Sequence, residues 1–156
     1  MKKIIYSLFL TFMMVSFSSC LTGGLEDLPE YEEADITSVS AVTYRYISDE
    51  VSPASGQNIV KDVNMTYTSE IDPVAATVKI SVTTPANFPE DELANLSTKS
   101  NLVVAVSLST AARLFPKDGS VELGVPGDWS KPNNYVVEAA NGTKKNWTIE
   151  IVSLKK

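Results

Sequence analysis

Cys20 is the only cysteine in the chain, and there is no histidine. Those two counts set most of the available chemistry. A lone thiol cannot close a disulfide within the chain. Without histidine the commonest acid–base group near neutral pH is missing, and with it a common metal ligand. Serines are plentiful, but none lies in a Gly-x-Ser-x-Gly elbow and no imidazole is present to take a serine proton. Carboxylates remain. Glu90, Asp91 and Glu92, or Asp118 and Asp128, offer oxygens of the kind Ca²⁺ takes, but none has calcium-loop spacing, and their simpler reading is solvated surface. A glycosidase needs two carboxylates across a cleft, and one small domain gives no sign of such a cleft in sequence. The expectation is therefore a non-enzyme with no catalytic residues, no cofactor and no metal. For binding, the candidates are Trp129, whose ring could stack on a sugar, and Asp128 beside it. Core packing is the competing reading for Trp129 and the stronger one for Trp147, which falls on the apolar face of its strand.

The position of Cys20 gives it a role. Met1-Lys2-Lys3 is a short positive start, Ile4 to Phe17 is an uncharged apolar run, and Ser18-Ser19 precede the cysteine. This is the layout of a secretory signal. The run is short of the roughly 20 residues that cross about 30 Å of hydrocarbon. Phe17-Ser18-Ser19-Cys20 resembles a bacterial lipobox, with Phe17 where leucine is commoner. The resemblance implies cleavage before Cys20 and lipidation on its sulfur. Two or three acyl chains hold a protein firmly, since each buried CH₂ adds about 0.8 kcal/mol. Residues 1–19 are thus expected to be signal peptide. Residues 20–35, with Gly23-Gly24 and six acids, read as a lipidated cysteine and an acidic, flexible tether.

The chain carries 13 basic and 19 acidic residues, a net charge of −6. Loss of residues 1–19 removes two lysines and leaves a still more acidic protein. That charge argues against nucleic acid, whose phosphates demand a basic face.

Residues 36–154 have to position whatever site exists, and their pattern is β. Val42, Tyr44 and Tyr46 alternate with polar neighbours, as do Val63, Met65 and Tyr67, and Val78, Ile80 and Val82. Leu102 to Leu108 is more continuously apolar, as a central strand would be. Period-2 runs of this kind put one face in a core and one in water. Turn signals separate them at Ser52-Pro53, Asp72-Pro73, Thr84-Pro85, Asp118-Gly119 and Pro126-Gly127. Tyr135–Ala139 and Asn146–Ile151 flank Asn141-Gly142 as a hairpin, with a type I′ turn or a longer loop carrying a bulge. Pro89 to Leu96 is the one helical candidate. The expected fold is all-β, a single Ig-like antiparallel β-sandwich.

Leu108 to Ile151 carries a further resemblance. Asp128, Trp129 and Pro132, then Tyr135, Val137, Ala139, Gly142, Thr143, Lys145, Trp147 and Thr148, resemble the closing signature of Ig-like modules in lipoproteins of gut Bacteroidota. Many of these are domains of unknown function in polysaccharide-utilisation systems, where they serve as spacers or carbohydrate-contacting parts. Acidic residues soon after the lipidated cysteine accompany surface export in such lipoproteins; here they begin six residues on. The resemblance implies an outer-membrane, lipid-anchored protein, periplasmic or facing outward, with surface display favoured. Its implied work is interaction rather than chemistry, with a glycan or with outer-membrane proteins. A structural spacer or assembly subunit is the alternative, and a small carbohydrate-active hydrolase ranks last.

Overall fold

The alternation of buried and exposed residues resolves into eight strands. In the computed structural model, which describes residues 30–156, these are β1 (Ile36–Val51), β2 (Asn58–Asn64), β3 (Thr66–Asp72), β4 (Thr77–Thr83), β5 (Leu102–Leu108), β6 (Arg113–Lys117), β7 (Asn133–Glu138) and β8 (Lys144–Lys155). The signal segment, Cys20 and the first part of the acidic segment lie outside the described residues. Two sheets form, β2-β1-β5 and β3-β4-β8-β7-β6. Their inner faces make one core: Val42 and Tyr44 from β1, Leu102 and Val104 from β5, Val78, Ile80 and Val82 from β4, Trp147 and Ile149 from β8. The chain is a β-sandwich.

Several features depart from the sequence expectation. The sandwich is not wholly antiparallel. β4 and β8 run parallel, with Val78 beside Ile149 and Ile80 beside Ile151. Alternation tells which face a residue occupies, but not which strand lies beside it or in what direction. The run Val63–Met65–Tyr67 is not one strand. It breaks at Met65, whose buried side chain and N–H, bonded to the Val42 carbonyl at 2.9 Å, mark the step from one sheet to the other. Both halves keep the same alternation, which hides the step. The segment Pro89–Leu96 does not form an α-helix. It makes two 3₁₀ turns, Glu90–Glu92 and Asn95–Thr98, with Leu96 fully buried.

The hairpin joining β7 and β8 has the longer loop. The Ala139 N–H bonds the Thr143 carbonyl and the Gly142 N–H bonds the Ala139 carbonyl. Only Gly142 takes a positive φ there, +83°. This is a turn closed by a glycine bulge, not a type I′ turn.

The expected tether ends sooner than residue 35. Ala34 is buried, and its carbonyl accepts the Trp147 indole N–H at 3.0 Å. The Ser109 hydroxyl donates to the Glu33 carbonyl at 2.5 Å and accepts from the Asp35 N–H at 3.1 Å. The Asp35 carboxylate pairs with Lys145 at 2.5 Å. The Asn141 N–H reaches the Tyr31 carbonyl at 3.2 Å. Residues 31–35 are therefore a strap laid against the β7–β8 hairpin, and the chain enters the sandwich at that end.

Candidate functional site

Trp129 is not a stacking platform. It is 1% exposed, and its indole N–H donates to the Leu102 carbonyl at 2.9 Å. Neither ring face is open to a ligand. The ring closes the sandwich beside the first residue of β5, and Gly127 bridges to the same Leu102. The loop between β6 and β7 must cover that strand end, and a large apolar ring with one donor does so. Trp147 is equally buried, with Lys145 Nζ 5.1 Å from the ring centroid. Asp128 is exposed, but it shapes a turn. Its carboxylate accepts the Ser130 N–H at 2.9 Å and hydroxyl at 2.5 Å, and those bonds hold its pKa below the ordinary value. The neighbouring Asn133 is 1% exposed. Its amide donates to the Asp128 and Lys131 carbonyls and accepts the Val121 N–H. Asp128 and Trp129 are adjacent in sequence, yet one lies exposed at a turn and the other is packed in the core.

The concave surface lies elsewhere, at the far end of β1. This strand has sixteen residues and β5 has seven. Their paired register ends at Tyr44 opposite Leu102, followed by one bond from the Arg45 N–H to the Asn101 carbonyl at 2.9 Å. Beyond it, β1 continues beside β2 alone. A hollow of about 520 Å³ opens there, lined by Arg45, Tyr46, Ile47, Val60, Glu92 and Asn101 among others. A second, of about 240 Å³, follows the same edge past Asp49 and Glu50.

One wall is a hydrogen-bonded layer. The Tyr44 hydroxyl donates to Glu92 Oε2 at 2.6 Å and accepts from Asn101 Nδ2 at 3.3 Å. Asn95 Nδ2 donates to the same Glu92 oxygen at 3.0 Å. Burial, and after it the Glu92 carboxylate, push the Tyr44 hydroxyl up to about 12. Tyr46 stacks on Tyr44 with centroids 6.0 Å apart, and Phe88 packs against Tyr44 at a tilt with centroids 5.0 Å apart. Glu92 is thus committed to holding tyrosine and amide groups.

The opposite wall is apolar and open. Ile47 is 69% exposed and Val60, its partner on β2, 57%. Arg45 forks onto Asp62 at 2.7 and 2.9 Å and reaches the Gly124 carbonyl at 3.2 Å. Asp62, through that bond, has a lowered pKa. Among the described residues no group of three or more Cys, Asp or Glu side chains is placed to hold a metal ion. The arrangement can bury apolar side chains and offer amides and main-chain groups to a bound chain. Sequence reasoning missed this groove. The available signal was Ile47, an apolar residue out of phase with Val42, Tyr44 and Tyr46, with Val60 out of phase with Val63.

Fold and groove together define a small β-sandwich with an open, partly apolar groove at one end. The chain belongs to the DUF5018-related family, whose model matches residues 36–150. It is also similar to a crystallised protein of Bacteroides fragilis NCTC 9343, described as a "putative secreted protein". The two are 43% identical with a TM-score of 0.68, over 82% of this chain and all of the other. No curated protein matches the chain. A Bacteroidota domain of unknown function, as the closing hairpin implied, is what the chain carries.

Proposed function

We propose that this is a lipid-anchored envelope lipoprotein, displayed outward, that docks another envelope protein through the bare end of β1 and turns nothing over. The observation that carries the reading is the exposed apolar edge formed by Ile47 and Val60, with Val51 beyond them at 55% exposure. Apolar side chains clustered beside a groove at the end of a strand favour association. Burial of both tryptophans removes the leading contacts for a glycan, so the assembly alternative gains over the glycan-contacting one. The signal layout up to Cys20 supports the anchor, and the secreted description of the Bacteroides fragilis relative agrees with an exported chain.

The strap supports a direction. It fastens residues 31–35 at the β7–β8 hairpin, next to the start of β1. At ~3.3 Å per residue along the strand, the groove lies about 30 Å from Ile36. A chain anchored through Cys20 would present the groove away from the membrane.

The test is incubation of the full chain with a panel of host and plant polysaccharides, following retention and release of reducing ends. Neither retention nor release is expected. Retention without release would restore the glycan-contacting version. Steady release that disappears with Glu92→Gln or Asp91→Asn would overturn the non-enzymatic reading. Labelling cells with a clickable fatty acid should mark the wild type and not Cys20→Ala.

A further inference from the structure

The main-chain polarity of β1 says what its bare edge can receive. In an antiparallel strand alternate residues send their N–H and C=O to opposite sides. The Val42 carbonyl bonds Met65, on the β2 side, and the Arg45 N–H bonds Asn101, on the β5 side. Ile47 has the polarity of Arg45. Its N–H and C=O therefore point to the side where β5 has already ended, since β5 begins at Leu102. The two hollows meet along this edge and share Tyr46, Ile47 and Glu92. They leave room for a chain in the place that a longer β5 would occupy.

We propose that this edge takes up an extended, basic segment of a partner protein as an added strand beside Ile47. The proposal rests on the interaction reading above and supplies the partner's chemistry. Main-chain hydrogen bonds give such a complex its affinity, and alternate side chains give it selectivity. One set of side chains from the incoming strand meets Ile47 and Val60. The other set faces the rim that carries Asp91 and Glu92.

Charge selects the occupant. The two hollows are lined by the acids Asp49, Glu50, Asp91 and Glu92 and by the bases Arg45 and Lys61. Both bases are engaged, Arg45 with Asp62 and Lys61 with Glu50. Asp49 and Asp91 have no basic partner among the described residues. A second copy of this chain, with its net charge of −6, would be repelled from such a rim. Lysine or arginine at alternate positions of a foreign strand would be drawn to it.

The experiment uses the full ¹⁵N-labelled chain in a zwitterionic detergent. The probe is an acetylated and amidated octapeptide of alternating valine and lysine. Binding should saturate, shift the Ile47 amide and slow its hydrogen exchange. Methylation of the peptide's edge-facing amides should weaken binding at least about tenfold, because the ladder is lost. The valine–glutamate peptide, or the surface variant Asp49→Lys with Asp91→Lys, should weaken it by a similar factor of about ten. Binding indifferent to amide methylation, or an Ile47 amide left unprotected at saturation, would overturn the strand-addition proposal. So would no binding at all. If a partner still crosslinks in cells at Val60 while the peptide fails, the added strand is refuted and the interaction reading stands. Loss of both refutes both.

Discussion

A tryptophan beside an aspartate reads equally well as a sugar platform and as a packed corner, and the deciding quantity is the exposure of the ring. Trp129 at 1% exposure is a packing residue with one obligatory donor. Trp129→Ala should cost about 3–5 kcal/mol by opening a large cavity, measured by urea unfolding. Its fluorescence in the wild type should be blue-shifted and resistant to acrylamide. Asp128→Ala, at an exposed turn, should leave the unfolding midpoint nearly unchanged. A large midpoint shift for Asp128→Ala with none for Trp129→Ala would contradict the assignment. The two buried tyrosines make a second statement at this scale. Burial raises Tyr135 to about 12, and burial with the Glu92 bond does the same for Tyr44, from an ordinary value of 10.0. A raised folded pKa means that the neutral hydroxyl is the favoured partner of the fold. The stability it contributes is complete below pH 10.0 and is lost as pH climbs towards about 12. Urea midpoints should stay flat to mildly alkaline pH and then fall across that window. The fall should shrink in Tyr44→Phe with Tyr135→Phe; an unchanged fall in that variant would remove the tyrosines as its cause.

At the scale of elements, the loop between β6 and β7 is positioned by close contact as much as by hydrogen bonds. A Cβ added at Gly127 would stand 2.3 Å from Val121 Cγ1, and Gly127 is the residue that bridges to Leu102. Gly127→Ala should destabilise the protein, and Val121→Ala in the same chain should recover part of the loss. Such coupling between contacting residues is read from a double-mutant cycle. Additive losses would mean that the loop absorbs the methyl elsewhere. The strands themselves were largely legible in sequence, because period-2 alternation at Val78–Val82 and Trp147–Ile151 is a direct image of one buried face. Partners and direction were not legible. The parallel pairing of β4 with β8 arises only after the chain has left for β5 in the other sheet and returned through β6 and β7, and no local pattern encodes that. The crossing at Met65 kept its alternation through a change of sheet. The groove was hidden for a related reason: it arises from a mismatch in strand length between β1 and β5, a property of two distant segments together. Leu102–Leu108, read as a central strand, lies at a sheet edge. Its apolar run reflects Leu102, Val103 and Val104, all buried near the covering loop.

At the scale of the whole molecule, the sandwich has two unlike ends. One carries the strap, where Ser109, Lys145 and the Ala34 carbonyl fasten the incoming chain. The other carries the bare edge of β1, the acidic rim and the hollow beside Tyr46. On the proposed anchoring, the first end faces the membrane and the second faces outward, where Ile47 and Val60 are exposed. The most direct measurement is photo-crosslinking in the cells that make the protein, with the reactive residue placed at Val60 and, as a control, at Val74. Val74 is 97% exposed on the β3–β4 turn, away from the groove. The expected result is one discrete, reproducible crosslinked species from Val60, abolished by charge reversal at Asp49 and Asp91, and none from Val74. Equal patterns from both positions, or no adduct from Val60 at normal expression, would contradict a docking surface at the end of β1.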